Sequence, residues 1–212
     1  MENEFYFSVF VTKEQIVYAQ ELVAYSLKYH PVANIWDKNK KEKTKTLRMT
    51  GTIGEIVFAD LYQLPRPTRS FGAIDGQDFG KDFALVINDT KMNVDVKTMH
   101  RKSNVFYQNY VLNIPARNIH RTDSLTEYYY CISLHNNRRQ TIASILGYVK
   151  KEDITSGKIG ILYKKGTKRI RADKTYFTFY EDTYEIFFKD IKTPFLNGEI
   201  QNTPGFKKLF LR

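Results

Sequence analysis

The chain has 212 residues and a formal net charge of +10 at pH 7, with a sequence pI near 9.5. With 42% hydrophobic and 15% aromatic residues it can bury a sizeable core, so the composition excludes wholesale disorder and fits one domain. The excess of cations favours a polyanionic partner, either a nucleic acid or an acidic membrane surface, although it can also simply keep a protein soluble.

Neither export nor membrane insertion is indicated by the sequence. The first residues, Met1-Glu2-Asn3-Glu4, are acidic and lack the charged and apolar regions of a signal peptide. No apolar run approaches the roughly 20 residues that a membrane-spanning helix needs. The one cysteine, Cys131, cannot form a disulfide within the chain. We therefore expect a cytoplasmic protein with no membrane partner.

The first part of the chain predicts a strand and two helices. Apolar residues alternate over 5–11, which is typical of a strand, and Thr12 with Gln15 forms a capping-box pair at the start of a helix. A second helical pattern covers 46–61. The lysine-rich stretch 37–48 is either a mobile loop or the exposed start of this second helix.

The rest of the chain predicts mainly strands. A strand at 83–87, a turn near Asn88-Asp89 and a strand at 92–98 form a hairpin, and 128–134 with 141–149 forms a second one. Further β-like runs are expected at 105–114, 159–163, 175–180 and 184–188, with basic turns such as Lys168-Arg169 between them. We predict an α/β fold with a mixed sheet in one domain, 1–212, comprising a catalytic core at about 46–150 and a C-terminal β-rich extension at 151–212.

The strand at 92–98 carries the most informative pattern. Successive side chains point to opposite faces of a strand, so the apolar Met92, Val94 and Val96 should enter the core. Asp95 and Lys97 then share the other face, where a carboxylate and an ammonium are neighbours.

Asp82 opens the adjoining antiparallel strand, and the turn between the two strands lets it lie beside Asp95. Two converging carboxylates can hold Mg²⁺ or Mn²⁺, hard cations that favour oxygen ligands. The metal would activate a water, and Lys97 could position that water or neutralise the transition state of phosphodiester hydrolysis. The residues therefore predict a metal-dependent hydrolytic site.

The tripeptide Asp-x-Lys carries little information by itself. It occurs at Asp89-Lys91, Asp95-Lys97 and Asp190-Lys192, and chance placement of acids and lysines would give about two. The first falls in the predicted turn, and the last has no upstream acid that opens a paired strand. Only Asp95-Lys97 combines strand alternation, a partner strand and a nearby acid.

This arrangement resembles the bipartite motif of the PD-(D/E)xK nucleases, the restriction-endonuclease-like superfamily. The matching parts are Asp82, a strand, a turn and Asp95-Val96-Lys97. Glu55, in the segment Gly51-Thr52-Ile53-Gly54-Glu55, matches the acid that this superfamily places on a preceding core helix. The glycines there would let the helix approach the sheet closely. The resemblance covers about 46–112 and implies a three-layer α/β/α core with a mixed central sheet.

The resemblance also implies roles for individual residues. Asp82 and Asp95 would be metal ligands together with the main-chain carbonyl of Val96, while Glu55 would bind metal or water and Lys97 would act on the attacking water.

The implied cofactor is Mg²⁺, for which Mn²⁺ could substitute, and the substrate is DNA, with RNA as the other candidate. The implied activity is that of an endonuclease of type II restriction or defence, acting on duplexes as a homodimer. The alternative is a non-catalytic nucleic-acid-binding protein on the same fold.

Two features depart from the family pattern. Lys81 stands where a proline usually precedes the first acid, and the Gln-x-x-x-Tyr signature of the exonuclease branch is missing, which disfavours that branch. Asp75 and Asp78, in the glycine- and aspartate-rich loop before Asp82, are alternative first ligands.

Clustered lysines and arginines are candidate contacts to phosphate, because cations neutralise the nucleic-acid backbone. The candidates are Lys41, Lys43, Lys45, Arg48, Arg101, Lys102, Lys164, Lys165, Lys168 and Arg169. Such contacts position a protein without specifying a sequence, so no recognition sequence follows from them. The sequence shows neither zinc-ligand spacing of histidines nor a glycine-rich phosphate loop with its lysine.

Overall fold

The structure is a computed structural model that describes residues 4–29, 38–68, 82–87, 89–104, 106–137, 140–170 and 176–210, with the backbone alone for 38–41. The helices are α1 (Lys13–Tyr29), α2 (Lys38–Leu61), α3 (Ala116–Ile119), α4 (Lys151–Thr155) and α5 (Gly198–Gln201), with a 3₁₀ turn at Phe188–Asp190. The strands are β1 (Phe5–Phe10), β2 (Phe83–Ile87), β3 (Thr90–Arg101), β4 (Val111–Pro115), β5 (Tyr128–Asn137), β6 (Gln140–Lys150), β7 (Ile161–Tyr163), β8 (Lys168–Ile170), β9 (Tyr176–Thr178), β10 (Thr183–Phe187) and β11 (Lys207–Phe210). Among the described helices, none is both long and apolar enough to cross a membrane.

The central sheet has the strand order β11-β1-β6-β5-β3-β2. Strands β3 and β5 run parallel, and the other neighbouring pairs are antiparallel. The predicted α/β class with a mixed central sheet is therefore confirmed. Strand β11 forms one edge of this sheet, so residues 207–210 belong to the central sheet.

Two apolar clusters lie on opposite faces of the central sheet. Alternation along β5 shows this directly, because Tyr130 and Ile132 belong to the first cluster while Tyr129 and Cys131 belong to the second. The first cluster packs against α1 and α2. The second packs against a three-stranded sheet, β4-β10-β7, and against α3 and α4. Long helices therefore cover one face, and strands with short helices cover the other.

A hydrogen-bonded network joins the start of α1 to the end of α2. Thr12 and Gln15 form the predicted capping box, in which each backbone N–H donates to the other side chain, at 2.9 and 3.2 Å. The Gln15 side chain also donates to Asp60 Oδ2 at 2.6 Å, and Arg66 makes a two-point ion pair with the same carboxylate. The network holds the two helices together on their face of the sheet.

Helix α2 approaches β3 closely at Gly54. A Cβ atom at this position would overlap the side chain of Thr98, and it would lie 2.8 Å from Thr98 Cβ, which side-chain rotation does not move. A Cβ atom at Gly51 would have Glu55 Oε1 as its nearest neighbour, at an ordinary 3.9 Å. The expectation that glycines permit a close approach is therefore confirmed for Gly54 and wrong for Gly51.

The hairpin of β2 and β3 leaves part of β3 without a strand on one side. Asp89 turns the chain with a φ of 61°, and β2 then pairs with Thr90–Val94. On its other side β3 pairs with β5 as far as Arg101. Within the described ranges, the β2 side of β3 beyond Val94 therefore forms an open edge.

Three sequence-based expectations are corrected or decided by the structure. The strand predicted at 105–114 is confined to β4, because Phe106 enters the second apolar cluster and 107–110 forms a turn; Val105 lies outside the described residues. Lys168-Arg169, predicted as a turn, lies in β8 and pairs with β9. The lysine-rich stretch is helical from Lys38 onward, and Asp37 lies outside the described residues.

Gly54→Ala should lower the free energy of unfolding, whereas Gly51→Ala should not. The new methyl group at 54 forces α2 away from β3, an overpacking cost of about 1–3 kcal/mol that outweighs the roughly 1 kcal/mol gained in helix propensity. At 51 only the gain applies. Urea unfolding of both variants measures the difference, and equal midpoints would contradict the close helix–strand contact.

Candidate active site

Side chains from separate elements meet at the open edge of β3. Glu55 of α2, Asp82 just before β2, and the Asp95-Lys97 pair of β3 line one cavity of about 510 Å³, a size typical of ligand sites. The rest of its wall is formed by Thr46, Leu47, Thr50, Gly51, Val96, Thr98, Met99 and His100. The structure thus places all four predicted catalytic residues around the same space.

Asp82 extends the pairing of β2 with β3. Its N–H donates to the Val94 carbonyl at 2.8 Å, and its Oδ2 accepts a hydrogen bond from the Val96 N–H at 2.7 Å. The carboxylate therefore takes the position of the next strand partner of β3. This fixes it beside Asp95, as the hairpin predicted.

Asp95 and Lys97 form an ion pair on the face of β3 away from the long helices. Lys97 Nζ lies 2.5 Å from Asp95 Oδ1 and 5.8 Å from the centre of the Tyr129 ring. The two side chains are only 11% and 23% exposed, so solvent screens this pair less than a surface pair. Val94 and Val96 point the other way, into the first apolar cluster, which confirms the predicted alternation.

The charged groups of the cavity shift each other's pKa values. Burial raises the pKa of the Asp82 carboxyl well above its ordinary value, and the negative charges of Glu55 and Asp95 add to this rise. Lys97 and the hydrogen bond from Val96 act in the opposite direction. For Lys97, burial is the largest effect and lowers the pKa, but the surrounding carboxylates together outweigh it, so its pKa is raised. Three acids around one cation leave an excess of negative charge.

Glu55 reaches the cavity because the preceding Gly54 lets α2 approach the sheet. Its side chain leans back over Gly51, one turn nearer the helix N-terminus, as helical side chains do. Its charge acts on both Asp82 and Lys97, so it belongs to the same electrostatic cluster. A helix and a hairpin that are distant in sequence therefore supply one site.

The donors around the cavity suit a hard divalent cation. Carboxylate and carbonyl oxygens are the ligands that Mg²⁺ and Mn²⁺ prefer, and Glu55, Asp82 and Asp95 provide three carboxylates whose mutual repulsion a cation would relieve. In the part of the chain that the structure describes, no three acidic, histidine or cysteine side chains already form a complete metal-binding group. One oxygen of Asp82 accepts from Val96 and one of Asp95 contacts Lys97. Neither contact excludes a metal, because both oxygens of an ionised carboxylate can accept or coordinate.

The predicted nucleic-acid-binding residues fall into two groups. The side chains of the first group are exposed: Lys43, Lys45, Lys102, Lys165, Lys168 and Lys164, the last of which pairs with Asp182 at 2.9 Å. In the second group the side chain is engaged within the protein: Arg48 with Ser26, Arg101 with the Val111 carbonyl and the Tyr110 ring, and Arg169 with the buried Glu185. The side chain of Lys41 lies outside the described residues. Among these candidates, the exposed lysines are therefore available to contact phosphate, whereas the three arginines are engaged within the protein.

Three side chains near the cavity were not singled out as site residues by the sequence pattern. Thr98 lines the cavity, and its buried Oγ1 has no hydrogen-bond partner among the described residues. The Tyr129 ring flanks Lys97, and His100 lines the cavity with its Nε2 3.1 Å from an amide nitrogen of Asn136. Only proximity to Lys97 in sequence could have indicated Thr98 and His100. The alternative ligands Asp75 and Asp78 lie outside the described residues.

Comparison with known proteins adds no family assignment. The chain matches no family model, no curated protein and no solved structure. The function must therefore be inferred from the geometry and chemistry of the site itself.

Asp82→Asn should stabilise the metal-free protein at pH 7, and the gain should shrink in acid. Folding raises the pKa of this carboxyl above its ordinary value of about 4. Above about pH 4 the native state therefore binds more protons than the unfolded state, so the free energy of unfolding falls as the pH rises through the folded pKa. The amide removes the charge and keeps an oxygen that accepts the Val96 N–H.

Unfolding in EDTA at pH 4 and at pH 7 measures this gain. Asp123→Asn is the matched control, because this exposed carboxylate has a pKa lowered by Arg121 and its neutralisation should bring no gain. Equal stability of Asp82→Asn and the unchanged protein at pH 7 would count against the buried cluster of like charges.

Proposed function

We propose that this protein is a Mg²⁺-dependent nuclease that hydrolyses phosphodiester bonds in DNA, on a restriction-endonuclease-like α/β/α core. The supporting observation is the meeting of Glu55, Asp82 and the Asp95-Lys97 pair at one cavity, although they come from separate elements. The other Asp-x-Lys tripeptides lack this setting. Asp89-Lys91 lies at the hairpin turn, and Asp190 is the last residue of a 3₁₀ turn, two residues before Lys192.

The proposed metal ligands are Asp82, Asp95 and the main-chain carbonyl of Val96, with Glu55 binding either the ion or a water beside it. A bound Mg²⁺ or Mn²⁺ supplies Lewis-acid activation of water and neutralises charge at the scissile phosphate. Within the described residues, no strand pairs with the β2 side of β3 beyond Val94, which would give a nucleic-acid strand access to these carboxylates from that side. The strand partners on the other side hold them in place.

Lys97 is suited to act as a fixed positive charge. The surrounding carboxylates raise its pKa, so the ammonium form faces the cavity. In this form it donates to a phosphate oxygen or orients the attacking water, and it stabilises the negative charge that develops in the transition state. The Tyr129 ring beside its ammonium group limits where the side chain can go.

The proposed substrate is DNA, with RNA as the alternative of the same backbone chemistry. A net charge of +10 and exposed lysines favour a polyanion. One site cuts one strand, so cleavage of a duplex would use a homodimer. A cytoplasmic role in type II restriction or another form of defence completes the proposal.

The second candidate function is a non-catalytic nucleic-acid-binding protein on the same fold. One observation favours it: the ammonium of Lys97 contacts Asp95 directly. A lysine in this position can serve as a built-in counter-ion in place of a metal. The two candidates therefore differ in whether a divalent cation binds beside the Asp95-Lys97 pair.

Lys97→Ala and Asp95→Ala should each slow Mg²⁺-dependent cleavage of plasmid DNA by at least about 100-fold, because each removes a charge that acts on the transition state or the metal. Lys91→Ala is the matched control. Lys91 lies on the same strand and is the lysine of another Asp-x-Lys, but it is exposed and does not line the cavity, so cleavage should continue at the unchanged rate.

The plasmid assay separates the two candidate functions. Cleavage that survives Lys97→Ala or Asp95→Ala at full rate would refute the site. Tight DNA binding by the unchanged protein without cleavage in Mg²⁺ or Mn²⁺ would favour the non-catalytic alternative. Sequencing the cut ends and repeating the digestion with RNA would then define the substrate.

A further inference from the structure

The ribbon of β8 and β9 exposes a row of aromatic side chains. On β9, Phe177 turns inward and contacts Phe179, whereas Tyr176 is 69% exposed. The pairing continues to Phe179, and Tyr180, which has the same parity as Tyr176, is 76% exposed. Across the ribbon from Tyr176 lies Ile170, which is 62% exposed. One face of the ribbon therefore presents exposed aromatic and apolar side chains to solvent.

This exposed row continues onto α2 and leads to the active-site cavity. Lys43 Nζ lies 5.2 Å from the centre of the Tyr180 ring, which is a cation–π distance. Helical residues four and seven positions after a given residue lie on the same face of the helix as that residue. For Lys43 these residues are Leu47 and Thr50. Both line the cavity, and Leu47 is 63% exposed. The ribbon and the cavity are thus joined by one face of α2.

The charges beside the exposed tyrosines are positive. Lys168 pairs across the ribbon with Thr178, so it lies on the face that carries Tyr176, and it is exposed. Lys43 supplies the second charge, at Tyr180. The two acids that follow Tyr180 have basic partners of their own: Glu181 with Arg117 at 3.2 Å and Asp182 with Lys164 at 2.9 Å. This surface therefore complements a negatively charged partner that also offers flat apolar faces.

We propose that this surface, the tyrosine stripe (Lys43, Leu47, Lys168, Tyr176 and Tyr180), binds unpaired bases of a nucleic-acid strand whose backbone leads into the active-site cavity, a proposal that rests on the proposed nuclease function. Aromatic rings stack on bases whatever their sequence, and neighbouring lysines contact the phosphates. An intact duplex keeps its bases stacked on each other, so it offers no free faces to the tyrosines. The tyrosine stripe therefore binds a single-stranded or locally opened stretch of the substrate.

The tyrosine stripe and the catalytic groups are not adjacent. Lys43 and Glu55 are twelve residues apart on α2, which corresponds to about 18 Å along the helix axis. A substrate must therefore extend over several nucleotides to contact both Glu55 and the tyrosines.

Fluorescence anisotropy measures the binding of a labelled 12-nucleotide single strand and of a matched hairpin duplex. EDTA is present to prevent metal-dependent cleavage, so the assay tests the tyrosine stripe through binding alone. Tyr176→Ala and Tyr180→Ala should each weaken single-strand binding about tenfold and leave duplex binding unchanged, while Tyr176→Phe and Tyr180→Phe should retain it. Lys43→Gln and Lys168→Gln should each reduce the slope of log affinity against log salt by about 0.7.

The matched controls come from the opposite edge of the central sheet. Lys208 on β11 lies 5.1 Å from the ring of Phe210, which is 68% exposed, and thus repeats the lysine–aromatic pairing far from the cavity. Phe210→Ala and Lys208→Gln should leave binding and its salt dependence unchanged. Equal losses in these controls would overturn the assignment of the tyrosine stripe.

Other outcomes separate this inference from the proposed function. If plasmid cleavage depends on Lys97 but Tyr176→Ala and Tyr180→Ala bind single strands normally, the tyrosine stripe is refuted and the nuclease stands. If single-strand binding depends on these tyrosines but no cleavage occurs, the nuclease fails and the tyrosine stripe stands. Tyrosine-dependent binding to vesicles of anionic phospholipid, with no binding to the oligonucleotide, would overturn the inference in favour of a membrane surface.

Discussion

The distance between α2 and the edge of β3 controls the whole candidate site. It is set at Gly54, where the space of a missing side chain is filled by Thr98. This contact brings Glu55 to the carboxylates of the hairpin, and it aims the face of α2 that carries Lys43 toward the ribbon of β8 and β9. Any larger side chain at this glycine would separate the acid supplied by the helix from those supplied by the strands. A single backbone contact therefore joins two regions that are remote in sequence.

Gathering these carboxylates works against the stability of the fold. Burial and the neighbouring acids raise the pKa of Asp82, which means that its charged form is disfavoured in the native state. Lys97 offsets part of this repulsion, but one ammonium cannot neutralise three carboxylates. Apolar clusters on both faces of the sheet surround the site and stabilise the fold despite this local conflict. Such conflicts between local charge and global stability are concentrated at functional sites.

Features that depend on neighbouring residues could be predicted from the sequence, and features that depend on distant contacts could not. The capping box of Thr12 and the alternation around Asp95 are local, and both are confirmed. The difference between Gly51 and Gly54 depends on which turn of α2 faces β3, which no local pattern records. The residues 107–110 read as part of a strand, but neighbouring aromatic packing turns the chain there instead. Glu55 could be connected to the hairpin only through a family resemblance.

The ribbon shows why a run of basic residues does not by itself define a binding surface. Lys168 and Arg169 are adjacent in sequence, but strand alternation turns the lysine outward and the arginine inward. There Arg169 lies 2.9 Å from Glu185, whose side chain is only 2% exposed, so the ribbon is tied to the three-stranded sheet behind it. Because Glu185 is buried, removal of Arg169 would leave its carboxylate without this cation, so the ion pair fixes geometry. A ribbon fixed in this way presents Tyr176 already in position, which lowers the entropic cost of binding a flexible strand.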